Sequence, residues 1–344
     1  MMTTHRAFRY SLNRAGVALL LGTGLTPFAA TSATNSATQT NEAVDDYGPL
    51  KTYAQSPLQS NSLTPQVRSG FRLPTQTVEL YGTGTIASVW ANTDDYKMDY
   101  YQNDLSVGSY IQINEKWAIE MDYTWRFAAN NGLDTLTKAF HDTFGIGLNG
   151  RDEVDKHAFD ISVPQYGVEI HDFEGKTLSN AFTFYASYQV LENAHHGLSL
   201  GGSLYYNYVG SGPFKTSSLE QALQLNYSFR SGKHRVYTLL GLSYRHNDEV
   251  LSNIPYNHFA FSSGISYQYA IAPRHRLITE FHLYEGASDA TSDLNEPSTE
   301  VLLGYRYHTD EGAIEISMIE NVFNMDNSTD IAFTLGYRHR VTFE

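Results

Sequence analysis

The chain has 344 residues, a formal net charge of −14 and no cysteine, and only 17% of its residues are charged. So acidic a chain lacks the clustered Lys and Arg that phosphate binding needs, which argues against nucleic acid as a partner. The missing cysteine excludes a disulfide scaffold, a thiolate metal site and a lipoprotein anchor.

Residues 1–33 have the form of a secretory signal peptide. Arg6, Arg9 and Arg14 make a positive start, a short leucine-rich run follows, and Ala29, Ala30, Ser32 and Ala33 suit cleavage. Residues 34–76 are rich in Thr, Ser, Asn and Gln and contain Pro49, Pro57, Pro65 and Pro74. With no hydrophobic period, they read as an irregular segment that hangs in the periplasm or folds into a lumen as a plug.

From Thr77 a period of two takes over, the mark of strands with two unlike faces. Leu219, Leu223, Leu225, Tyr227 and Phe229 fall on one face, against Glu220, Gln224, Asn226, Ser228 and Arg230. Trp117, Ile119, Met121, Tyr123, Trp125 and Phe127 likewise oppose Glu120, Asp122, Thr124 and Arg126. About twelve such segments occur, and the apolar faces often end in Tyr, Trp or Phe, as expected at membrane interfaces. Connections after even-numbered segments are short, and those after odd-numbered ones are mostly longer and acidic. The pattern predicts an all-β fold, a transmembrane antiparallel β-barrel of about twelve strands over 77–344, with short periplasmic turns and longer outer loops. The last strand ends in Phe343, the terminal aromatic common where barrel assembly machinery is the partner, although Glu344 follows it. A secreted β-sandwich also alternates, but its core would be unusually rich in tyrosine.

One connection, 129–179, is far longer than the others, and loops of that length are commonly functional. Leu133, Leu136, Phe140 and Phe144 recur at helical spacing, which predicts a short helix over 134–144. Residues 159–163 and 168–173 predict a hairpin across Pro164-Gln165-Tyr166-Gly167. The loop is expected to be extracellular or folded into the lumen. "GPL" at 48–50, "QSPLQ" at 55–59 and "AFHDTFGIGLNGRDEV" from Ala139 resemble the domain-of-unknown-function 3187 family. The resemblance implies a Gram-negative envelope protein and brings no activity with it.

His141 and Asp142 are the candidate catalytic pair, for a barrel hydrolase acting on lipid or lipopolysaccharide. As sequence neighbours on a helix, however, their side chains diverge by about 100°. The simpler expectation is a structural loop or constriction built from Phe140, His141, Asp142, Phe144, Arg151 and Asp152. Asn324, Asp326, Ser328 and Asp330 alternate oxygens, as do Asp289, Asp293 and Glu296, but neither group has the spacing of a calcium loop. No metal and no cofactor is expected.

The inward faces carry mixed charge. Glu120, Asp122, Arg126, Arg230, Arg235, Arg245, Glu280, Glu300, Arg306, Arg338 and Arg340 form the expected lumen-facing, solute-selecting set. Glu79, Asp104, Glu220 and Glu315 point the same way. The favoured function is a selective or gated channel for a small polar or amphipathic solute, set in outer-membrane lipid and lipopolysaccharide. A closed structural or adhesive barrel is the third possibility.

Overall fold

A strand with lipid on one side and a polar interior on the other must alternate apolar and polar residues. The computed structural model describes residues 46–133, 158–251, 253–289, 293–321, 327 and 329–343. In chain order the strands begin with β1 (Thr77–Asn92), β2 (Lys97–Gln112), β3 (Trp117–Ala128), the short β4 (Asp160–Val163) and β5 (Val168–Ile170), and β6 (Thr177–Glu192). Next come β7 (His196–Val209), β8 (Thr216–Ser231), β9 (His234–Arg245), and the two-residue β10 (Glu249–Val250) and β11 (Ile254–Pro255). The last five are β12 (Phe259–Ala272), β13 (His275–Tyr284), β14 (Ser298–His308), β15 (Gly312–Glu320) and β16 (Ile331–Thr342).

Twelve of these strands close into one antiparallel barrel, in the order β1, β16, β15, β14, β13, β12, β9, β8, β7, β6, β3, β2 and back to β1. The seam runs from Thr77↔Thr342 to Ser88↔Ile331 and leaves no free barrel edge. The outcome agrees with the expected twelve-strand barrel. The four longest strands, β1, β2, β6 and β8, have 16 residues. A tilted strand needs only about 9–11 to cross a bilayer, so their ends project beyond it.

Burial runs opposite to that of a soluble protein. Leu223 and Leu335 are more than 60% exposed on the outer face, while Glu120 and Asn226 are fully buried inside. A sandwich would hide those leucines and solvate those polar groups. Only a surrounding lipid phase solvates such an exterior, and closure leaves no barrel-edge amide unpaired within it.

The two ends differ. At the turn end, Asn114 Oδ1 accepts the amides of Lys116 and Trp117, and Asn193 Oδ1 accepts those of His195 and His196, each at 2.9 Å. The same side-chain-to-backbone device thus makes two tight turns. At the loop end an apolar cluster gathers Leu58, Tyr100, Tyr101, Phe159, Phe173 and Phe214. Phe173 stacks edge-on against Tyr100 at 5.5 Å and Phe214 at 5.1 Å. The expected 159–173 hairpin forms as β4 and β5, with a 3₁₀ turn at Pro164–Tyr166 between them. It extends the sheet by pairing with β2 at Lys97 to Asp99. The small β10–β11 hairpin was not foreseen, since two-residue strands are too short to show a period. The expected helix over 134–144 and the segment 1–33 lie outside the described residues.

Leu223→Arg, in the middle of β8 and facing outward, is expected to destabilise the barrel by about 2–4 kcal/mol. Urea unfolding in vesicles would measure it; a loss below about 1 kcal/mol would argue against a lipid-facing position there.

Candidate functional site

The barrel interior is occupied by the chain itself. Residues 46–75, which precede β1, enter at the turn end, rise past β12–β16 and turn over in a 3₁₀ turn at Gln59–Asn61. They then descend past β3, β6 and β8 to rejoin the wall at β1. The route is written in hydrogen bonds. Asp46 pairs with Arg235 at 3.2 Å near the turn end, and the Leu50 amide donates to Glu280 at 2.9 Å partway up. The Gln55 and Ser56 amides both donate to Glu300 Oε1, at 2.7 and 2.9 Å, near the loop end. On the way down the Leu63 amide donates to Glu220 at 2.7 Å, the Gly70 amide to Ser228 Oγ at 2.7 Å, and the Leu73 amide to Gln112 at 3.1 Å.

An irregular segment cannot satisfy its own amides, and a buried unsatisfied amide costs about 1–3 kcal/mol. The wall carboxylates answer that need. The segment's carbonyls are matched in the same way: Pro49 O accepts from Arg306 at 3.1 Å and Arg338 at 2.9 Å, and Gly70 O from Gln189 at 2.7 Å. Side-chain ion pairs lock the two legs together through one wall residue. Glu120 accepts from Lys51 on the rising leg and from Arg68 on the falling leg, the latter at 2.8 Å. Tyr81 OH donates to the same carboxylate at 2.7 Å. Arg68 also lies over the Tyr185 ring, 4.0 Å from its centre.

Glycines let the segment touch the wall. A Cβ on Gly70 would fall 2.5 Å from Gly197 O, and one on Gly197 would fall 2.6 Å from Gly70 O, so backbone meets backbone there. A Cβ on Gly304 would strike Leu50 Cδ1 at 2.7 Å. The space left between the legs at the turn end is about 60 Å³. A further pocket of about 30 Å³ lies beside Tyr53 and Arg126.

Glu120, Asp122, Arg126, Arg230, Arg235, Arg245, Glu280, Glu300, Arg306 and Arg338 are buried inside the barrel, where they hold the segment. Besides the bonds given above, Asp122 accepts from Tyr53 OH at 3.2 Å, and Arg126 pairs with Asp104 at 3.0 Å while donating to Ser60 O. Arg245 donates to Ser62 Oγ at 3.2 Å, and Arg340 to Asp46 O at 2.9 Å. Arg306 and Arg338 share Glu315, and Arg338 and Arg340 share Glu79. Arg230 covers the Phe71 ring at 4.1 Å. Phe140, His141, Asp142, Phe144, Arg151 and Asp152 lie outside the described residues.

The segment's own ligands, Asp46, Lys51 and Arg68, were not foreseen, nor were the wall amides Gln189 and Gln268. One signal was available. Glu280 lies between Ser266 and Leu302 on the neighbouring strands, and Glu300 faces His282 on β13, so neither has an arginine opposite it there. Inward carboxylates without a cross-strand cation imply a donor from elsewhere.

Beyond β5, His171 Nδ1 bonds Asp160 Oδ1 at 2.8 Å, and its Nε2 lies 3.6 Å from Glu169. The hydrogen bond to Asp160, helped by the surrounding carboxylates, raises the imidazole pKa above its ordinary value.

Fold and interior together define a transmembrane β-barrel whose lumen is filled by the segment preceding its first strand. The sequence matches the family described as Protein of unknown function (DUF3187) over residues 25–341, and the chain belongs to that family. No curated protein matches it. Among solved structures it is similar to the COG4313 outer membrane channel from Pseudomonas putida F1, at 12% identity and a TM-score of 0.49, over 78% of this chain and 97% of that one. It is also similar to the NanC porin (10% identity, TM-score 0.44, 77% of this chain and 100% of that one). For the KdgM porin the values are 8% and 0.41, over 78% of this chain and 99% of that one.

Glu120→Ala leaves Lys51 and Arg68 buried without their shared anion, a change worth about 3–5 kcal/mol in buried pairs. The inner segment should loosen and become cleavable by trypsin at Lys51 and Arg68, while the barrel keeps its heat-modifiable migration. Unchanged resistance at both sites would show that the segment does not depend on this triad. At the hairpin, a raised pKa means that the His171 clamp is complete below the unfolded value, about 6.5, and fades as pH rises through the folded one. An NMR titration of the His171 ring should give a midpoint above that of an unfolded peptide, and Asp160→Asn should bring it back down.

Proposed function

We propose that the protein is an outer-membrane channel for a small polar or amphipathic solute, closed in the present state by residues 46–75. The observation that carries this is the polar seating of the segment: its backbone is held mainly by hydrogen bonds to wall carboxylates and arginines. Such bonds to charged groups exchange for water at a net cost of about 1.5–3 kcal/mol each. Apolar contacts add to them in small patches, with Leu50, Leu63 and Val67 each clustered with a few wall residues, and exposing these costs about 25 cal/mol for each Å².

Twelve strands enclose a space between that of filled eight-strand barrels and open sixteen-strand pores. With the segment withdrawn, Glu120, Glu280, Glu300, Arg306 and Arg338 return to water as a mixed-charge lining. Rings of such charges select solutes by charge and size. The loop-end cluster, to which Leu58 and the β4–β5 hairpin both contribute, would form a second restriction at the mouth. The apolar outer belt suits outer-membrane lipid and lipopolysaccharide, and β16, ending next to Phe343, suits recognition by barrel assembly machinery. The short turns would then face the periplasm and the long loops the exterior.

The chain has no native cysteine, and Ser56 Oγ touches Ser298 Oγ, so a Ser56→Cys/Ser298→Cys pair can tie the segment to β14. In planar bilayers the reduced double variant is expected to conduct in discrete steps and the oxidised form to stay silent. A reduced full-length barrel that never conducts, and admits no sugar or amino acid into liposomes, would favour a closed structural barrel instead.

A further inference from the structure

Above the turn at Gln59–Asn61, beside the loop-end cluster, lies a cavity of about 280 Å³. Its lining mixes apolar and aromatic side chains, Leu58, Tyr100, Ile161, Phe214 and Tyr256 among them, with polar ones such as Asn207, Ser218 and Asn247. Two polar groups stand out in this lining. Asn61 Oδ1 is buried and has no hydrogen-bond partner. Glu220 is 2% exposed and accepts the Leu63 amide. Arg245, opposite it on β9, makes a long ion pair with Glu220 at 3.8 Å, beyond hydrogen-bond reach. A carboxylate has about four acceptor sites, so Glu220 keeps capacity for a closer cation. Lys215 and Glu249, also in the lining, offset each other in sign.

An orphan acceptor and a buried carboxylate call for a donor, and for a charged donor above a neutral one, because charge-assisted bonds are about twice as strong. Aromatic and aliphatic walls call for an apolar body, the usual composition of a small-molecule pocket. We infer that this cavity is a binding site for a small amphipathic amine, its ammonium placed between Asn61 Oδ1 and Glu220 and its apolar part against Leu58, Tyr100 and Phe214. The site deepens the channel reading by naming the solute class, and it rests on that reading for passage though not for binding. An ammonium on Glu220 competes with the Leu63 amide, a wall contact of the falling leg just after the turn. Binding therefore weakens the hold on the inner segment at its apex.

The probes are 2-phenylethylammonium, 2-phenylethanol and 3-phenylpropionate, titrated by calorimetry into the oxidised Ser56→Cys/Ser298→Cys barrel in nanodiscs. The tethered barrel separates binding from passage. The ammonium is expected to bind about tenfold more tightly than the alcohol, the step set by a charge-assisted bond, and the carboxylate not to bind. Ile161→Trp and Ser218→Trp, which fill the cavity from two sides, should each abolish binding in barrels that keep their heat-modifiable migration. Glu220→Gln should erase the difference between ammonium and alcohol. Equal binding of all three probes, or full binding by both tryptophan variants, overturns the inference. Conductance of the reduced barrel then separates the two proposals. Binding with no conductance leaves the site standing and removes the channel, whereas conductance with no binding removes the site alone.

Discussion

Carboxylates inside a lipid-bound barrel govern the rest of this structure. Glu79, Glu120, Glu220, Glu280, Glu300 and Glu315 sit within a few per cent of complete burial. A buried charge without a partner is among the costliest groups a protein can hold. Some find arginines on the wall, as Glu79 and Glu315 do. Others, such as Glu280 and Glu300, accept amides of residues 46–75. The inner segment therefore has a double role: it fills the space and completes the electrostatics of the wall. Either the segment is present or water must take its place, and a gate needs two states of that kind.

The segment and the wall are complementary in kind as well as in charge. A chain without regular structure has amides and carbonyls pointing in every direction, and a barrel interior of alternating acids, amides and arginines meets them from every direction. Gln268 on Gly48 O and Gln189 on Gly70 O show neutral wall groups doing for carbonyls what Glu300 does for amides. Where the two backbones come closest, at Gly70 and Gly197, side chains are absent on both sides. The family-like patches "GPL" and "QSPLQ" belong to this interface. Pro49 gives its carbonyl to two arginines, and Gln55 and Ser56 share one carboxylate.

The barrel was legible in the sequence because its signal is periodic. Leu223 and Gln224 declare opposite faces through neighbours two residues away, and twelve repetitions of that pattern leave few alternatives. The course of the inner segment was not legible, and the reason is physical. Its contacts run through main-chain groups, which every residue carries alike, so Leu50 donating to Glu280 leaves no trace in the identity of residue 50. Lys51 and Arg68 do carry a trace, but their shared partner Glu120 lies far away in sequence and already had a place in the wall pattern. A polar, proline-bearing stretch reads the same whether it hangs in water or lines an interior. The loop-end cavity was illegible for a related cause, since Leu58, Tyr100 and Phe214 come from three separate parts of the chain.

The seam between β1 and β16 also sets an order of events. Residues 46–75 are made before every strand that will hold them, yet Pro49 binds Arg338, 289 positions later. Contacts so distant in sequence form late, because the loop-closure entropy must be met first. The segment is tethered directly to β1, and β1 is one of the two strands that zip the cylinder shut. Its seating is thus tied to the last strand of the chain, since Pro49 cannot meet Arg338 until β16 is in the wall.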